Sequence, residues 1–128
     1  MLGEMNTEQI SLCGEGSIHN DGSYGFSFGR NVYAGYAASA FGGENQAIGD
    51  FSSVENYGNK IYAEKAHGEG SENIIGKTAI GAHVEGHKNY IRYDANGKIS
   101  FASGSNKGYN HVEGYNNKDY GWYSHIEN

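Results

Sequence analysis

The sequence has no proline anywhere in its 128 residues. Every peptide unit can therefore donate a hydrogen bond to a ladder, and collagen-like and proline-rich linker chains are excluded. A single cysteine, Cys13, can form neither an internal disulfide nor a Cys-x-x-Cys pair for zinc or redox work. Charged residues make up only 19%, the net charge is −6, and Lys and Arg do not cluster. Neither a nucleic-acid backbone nor an anionic membrane surface is an expected partner. No apolar run approaches the ~18 residues of a membrane span, so no membrane insertion is expected. Residues 1–9 lack the basic start and apolar stretch of a secretion signal, and read as a short flexible lead. Threonine stands only at 7 and 78, too seldom for the repeated hydroxyl column of an ice-binding face. The aspartates at 21, 50, 94 and 119 do not follow the Gly-Gly-x-Gly-x-Asp period of calcium-binding rolls.

Glycine (21 residues), asparagine (14) and tyrosine (11) are abundant instead. At 37% apolar residues, a conventional two-layer core would be thin for this length. A repeat supplies the alternative. Short segments ending in Gly or Asn recur at Gly29, Gly42, Asn56, Gly70, Gly86, Gly114 and Asn128, with a weaker copy at Cys13-Gly14-Glu15-Gly16. Successive steps are 13, 14, 14, 16, 28 and 14 residues, and the long step, twice the short one, predicts one concealed coil. Asn31, Asn45, Asn59, Asn73, Asn89 and Asn117 follow these anchors closely. Gly35, Gly49, Gly76 and Gly121, with Ala63 once, mark a second turn in each copy.

Two turns per copy leave segments of about five residues, enough for a strand and too few for a helix. Gly and Asn tolerate the positive φ that tight doubling back requires. Between the turns, small apolar and polar residues alternate, as in Ala37-Ala38-Ser39-Ala40-Phe41, so one face of each strand can point inward. The prediction is an all-β protein: a parallel β-solenoid of about eight coils of ~14 residues over 10–128. Residues 90–101 break the period. With Asn96-Gly97 as a favoured two-residue turn, they read as one inserted β-hairpin.

His67, His83, His111 and His125 each stand two residues before Glu69, Glu85, Glu113 and Glu127, so each pair shares a strand face. Stacked coils would set His over His and Glu over Glu. The expected role is a structural ladder in which imidazole N–H groups meet carboxylates or carbonyls, within one chain or between chains. Coordination of a divalent ion by symmetry copies of such a column is the alternative use of the same ligands. No metal or cofactor is expected, and assembly should weaken in acid.

The candidate recognition residues are Tyr90, Tyr93, Phe101, Tyr109, Tyr115, Tyr120, Trp122 and Tyr123, whose rings suit flat contact with a sugar or a protein. The same rings could instead fill an interface or cap the last coil. Candidate acids and bases are nearly all repeat positions, with no separate catalytic constellation, so the chain is not expected to be an enzyme. A polysaccharide-processing β-helix is the catalytic alternative.

The copies Asn110-His111-Val112-Glu113-Gly114-Tyr115-Asn116 and Tyr123-Ser124-His125-Ile126-Glu127-Asn128 resemble the Ser-His-x-Glu-Gly-x-Asn repeats of bacteriophage and prophage tail-fibre or appendage proteins. Copies such as Ser39-Ala40-Phe41-Gly42 also resemble the head repeats of trimeric autotransporter adhesins. The resemblance spans residues 12–128. It implies a left-handed β-roll, a homotrimer, and a place on a virion tail or bacterial cell surface, where the assembly binds a host glycan or protein. A fibre spacer that binds no ligand is the alternative.

Overall fold

The computed structural model describes residues 10–13, 19–20, 24–92 and 109–128. The lead over 1–9 lies outside them, as do residues 93–101 of the expected hairpin.

Strands are numbered along the chain and alternate between two parallel sheets. One sheet holds β1 (Ile10–Cys13), β3 (Phe26–Arg30), β5 (Ser39–Gly43), β7 (Ser53–Val54), β9 (His67–Gly68), β11 (His83–His87), β13 (His111–Tyr115) and β15 (His125–Glu127), stacked in that order. The other holds β2 (His19–Asn20), β4 (Tyr33–Ala34), β6 (Gln46–Ala47), β8 (Lys60–Ile61), β10 (Ile74–Ile75), β12 (Tyr90–Ile91) and β14 (Lys118–Asp119). Each coil is therefore a strand of the eight-stranded sheet, a first turn, a strand of the seven-stranded sheet and a second turn. This is the β-solenoid expected from the repeat.

The core is the narrow space between the sheets. Ala40, Val54, Gly68, Val84 and Val112 point in from one side, and Ala34, Ala47, Ile61, Ile75 and Ile91 from the other; all the apolar members are fully buried. Small residues face large ones because the space is fixed by the coil. At Gly68 an added Cβ would come within 2.5 Å of Ile61 Cδ1, so the isoleucine occupies the room a side chain would need.

Asparagine sets the first turn. The backbone N–H of Asn59 donates to Oδ1 of Asn45 at 2.9 Å, and the same bond recurs from Asn73 to Asn59, from Asn89 to Asn73 and from Asn117 to Asn89. Each of Asn59, Asn73 and Asn89 also donates through Nδ2, once to the carbonyl four residues back (Glu55, Glu69, Glu85) and once to a carbonyl of the next coil (Gly70, Gly86, Gly114). Asn45, Asn59, Asn73 and Asn89 have no solvent exposure. At the end of the column, Asn128 Nδ2 donates to Asn117 Oδ1 at 2.7 Å.

From β3 onward seven residues separate the equivalent strand positions across this turn, from Ser27 to Ala34, Ala40 to Ala47, Val54 to Ile61, Gly68 to Ile75, Val84 to Ile91 and Val112 to Asp119, whereas Ser11 and Asn20 in the first coil are nine apart. Along that part of the stack the variation in coil length falls in the second turn, which lacks such a column.

Three expectations change. His83 pairs directly with His111, so the 28-residue step is one coil with a long second turn, and there is no concealed coil between them. Tyr90–Ile91 pairs with Ile74–Ile75 and with Lys118–Asp119, making it a regular strand of the stack and leaving the interruption to begin after Arg92. Asn31 lies outside the asparagine column, whose place in its coil is taken by buried Val32. The corners also differ from a simple Gly/Asn rule: Glu44, Glu72 and Lys88 adopt φ of 57°, 56° and 58°. The anchor glycines answer to a stricter need, as a Cβ on Gly86 would run into the carbonyl oxygen of Gly114 in the next coil.

Replacing Asn73 by alanine strands the Asn89 N–H and the Glu69 carbonyl in a dry turn and removes one of two donors to the Gly86 carbonyl, and should cost about 2–4 kcal/mol in denaturant unfolding. Lys60→Ala, on an exposed outward position, should stay within about 0.5 kcal/mol.

Candidate functional site

Outward residues of the eight-stranded sheet form two columns that change character along the stack. Phe26, Ser39, Ser53, His67, His83, His111 and His125 make one; Phe28, Phe41, Glu55, Glu69, Glu85, Glu113 and Glu127 make the other. Alternation along each strand puts both columns on the surface opposite the valines of the core. One half of this face is therefore aromatic and the other half is His/Glu. Phe26 and Phe41 pack at 5.2 Å between ring centroids, and Phe28 is 53% exposed.

The imidazoles of His67, His83 and His111 stack with centroids 5.0 Å apart and planes within 9° and 18° of parallel. His125 meets His111 edge-on at 4.8 Å. Each ring leans toward the glutamate of its own strand, with Nε2 to Oε2 distances of 3.8 Å at His83–Glu85, 3.7 Å at His111–Glu113 and 3.4 Å at His125–Glu127. Only the last is within hydrogen-bond reach. Among the described residues, Nε2 of His67, His83 and His111 is shielded from solvent and has no hydrogen-bond partner. The column is thus held by ring stacking more than by the imidazole–carboxylate bonds expected of it. Five glutamates also lie one above another, an unfavourable like-charge arrangement within a single chain.

Burial, followed by the histidines above and below, lowers the His83 pKa from its ordinary 6.5, against the opposing pull of Glu85 and Glu69. Among the described residues, no group of three or more His, Cys, Asp or Glu side chains is arranged to hold a metal ion.

The C-terminal aromatics do not form one patch. Tyr109 and Tyr123 stack at 5.9 Å on the second turn, and Tyr115 stacks on His87 at 5.5 Å on the first. Trp122 lies beneath the Arg92 guanidinium, 3.7 Å from its ring centroid, and Arg92 is itself buried, which lowers its pKa from the ordinary value. Tyr90 is half-buried in β12 and Tyr120 is 47% exposed. Tyr93 and Phe101 lie outside the described residues.

Sequence reasoning missed three features. Tyr24, Tyr36 and Phe51 form an edge-to-face row on earlier second turns, at 6.2 and 5.6 Å, signalled only by aromatics recurring once per coil. Ser71 Oγ lies 2.6 Å from His87 Nδ1, a contact imposed by the register that stacks those residues. Asp119 takes the last place in the isoleucine column, 3% exposed, and accepts from Asn110 Nδ2, the Gly121 N–H and Ser124 Oγ. It places a buried carboxylate beside Ile91 in that column.

Compared with known protein families, curated proteins and solved structures, the chain matches none.

With its pKa lowered, folded His83 binds a proton less readily than it does in the unfolded chain. Its contribution to stability is therefore complete above pH 6.5 and is lost as pH falls through the folded value. The thermal midpoint should drop on acidification below about pH 6.5, and less steeply in His83→Gln. Identical pH profiles for the two proteins would show that this column does not titrate as described.

Proposed function

We propose that the chain is a segment of a homotrimeric fibre of the tail-fibre or adhesin-head kind, joined through the outward face of the eight-stranded sheet and presenting aromatic side chains to a surface ligand. Its place would be a virion tail or a bacterial cell surface. The observation that carries this reading is that face. It exposes Phe28 beside Phe26 and Phe41, and it continues into shielded histidine nitrogens and a column of like-charged glutamates. Burying the phenylalanines between copies would add apolar area, at about 25 cal/mol per Å2, to a core built mostly of alanine, valine and isoleucine. Histidines brought near a neighbour's glutamates would relieve the like-charge column. The threefold state comes from the resemblance of the His-x-Glu-Gly copies. The proposed role is non-catalytic, as the titratable groups of this face are positions of the repeat.

A second reading, a spacer with no ligand of its own, is favoured by the engagement of Trp122 with Arg92 and of Tyr115 with His87. Those rings serve the fold first.

Native mass spectrometry should find three chains, and a monomer at micromolar concentration would contradict the proposal. Phe28→Lys combined with Phe41→Lys should yield monomers that keep their β-sheet circular dichroism. For the ligand, Tyr123→Ala should reduce adhesion of the trimer to host cells. A trimer that adheres to no cell and to no spot of a glycan array selects the spacer.

A further inference from the structure

We infer that a groove across three successive second turns, in the middle of the stack, is a binding site for a hexopyranose unit of a glycan. Ile48 and Asp50 come from one coil, Tyr62 and Glu64 from the next, and Lys77 and Ile80 from the third; together they enclose a cavity of about 460 Å3. Backbone hydrogen bonds from Ile48 to Ile61, Tyr62 to Ile75, Lys65 to Asp50 and Gly81 to Glu64 fix these turns against one another, so the walls are set before any ligand arrives.

The hollow has a structural cause. The turn between Ile75 and Val84 is two residues longer than those between Ala47 and Val54 and between Ile61 and Gly68, and its extra length carries the Lys77–Ile80 wall. Beside it, Gly49 lets its coil approach the next closely, as a Cβ there would run into the Ala63 carbonyl.

The lining matches the two chemistries of a sugar ring. Ile48, Tyr62 and Ile80 offer half-buried apolar and aromatic surface to a C–H face. Asp50 and Glu64 sit one coil apart in the same column as acceptors for ring hydroxyls, while exposed Lys77 is a donor. Lys65 Nζ lies 3.1 Å from Glu64 Oε1 and offsets part of this charge, leaving the remaining acceptor positions of the two carboxylates to ring hydroxyls. The volume suits one or two sugar rings. This site is separate from the C-terminal rings and from the face proposed for trimerisation, so it stands whether the chain is a trimer or a monomer.

The test is amide chemical-shift mapping on the full chain, titrated with methyl glucoside, methyl galactoside, methyl mannoside and glucosamine to millimolar concentration. At least one probe should shift amides of residues 48–50, 62–64 and 77–80. The same titration of Asp50→Asn with Glu64→Gln should weaken that binding about tenfold or more with the spectrum otherwise unchanged, and Trp122→Ala should leave it intact. Shifts centred elsewhere, no shift with any of the four probes, or undiminished binding by the double variant would each overturn the assignment. Loss of trimer mass alone would not touch it.

Discussion

The hydrogen bond from the backbone N–H of Asn59, Asn73, Asn89 and Asn117 to the side-chain oxygen of the asparagine one coil earlier is the constraint from which the rest of this structure follows. A dry turn must satisfy its backbone donors and acceptors internally. Asn59, Asn73 and Asn89 do so by accepting at Oδ1 from the next coil while Nδ2 closes their own turn and reaches a carbonyl of that same next coil. One side chain thereby fixes both the shape of a turn and the register of the stack. Aspartate would lack the donors, and glutamine would be too long for the same geometry.

From that fixed edge comes a division of labour around the coil. From β3 onward the first turn keeps one length, the two sheets keep their pairing, and the second turn absorbs the changes in length, including the long passage between Ile91 and His111. Features that depart from the repeat gather on this variable side: the aromatic row of Tyr24, Tyr36 and Phe51, the stacked Tyr109 and Tyr123, and the groove enclosed by Tyr62, Glu64 and Lys77. The outward face of the eight-stranded sheet behaves differently. It is regular in position yet changes chemistry from phenylalanine to histidine and glutamate along the stack.

Much of the fold was legible in the residues because a short period leaves few alternatives. Glycine or asparagine every fourteen residues, with strands too short for helices, led directly to parallel coils, and the anchor glycines and the asparagines from Asn45 onward fell where the repeat placed them. Register was harder. Two coils and one coil with an insertion give the same 28-residue step, and only the pairing of His83 with His111 distinguishes them. Tyr90–Ile91 likewise reads as the start of a hairpin until Ile74–Ile75 is found beside it. The candidate site was legible only in part. The His and Glu columns follow from period and alternation, but the stacking of rings in preference to hydrogen bonds depends on sub-ångström placement. Trp122 was visible as a ring and not as the seat of Arg92, a contact that joins residues thirty positions apart across the longest turn. The groove carries no motif of its own: Ile48 and Tyr62, like Asp50 and Glu64, share only the fourteen-residue spacing of the repeat, and Lys77 and Ile80 meet them because the coils stack.

The most direct measurement of the central claim is a scalar coupling across hydrogen bonds, from the amide nitrogens of Asn59, Asn73, Asn89 and Asn117 to the side-chain carbonyl carbons of Asn45, Asn59, Asn73 and Asn89. The account predicts all four correlations in isotope-labelled protein, the last joining residues 28 positions apart. Slowly exchanging amides without these couplings, or a correlation from Asn117 to any residue other than Asn89, would contradict it.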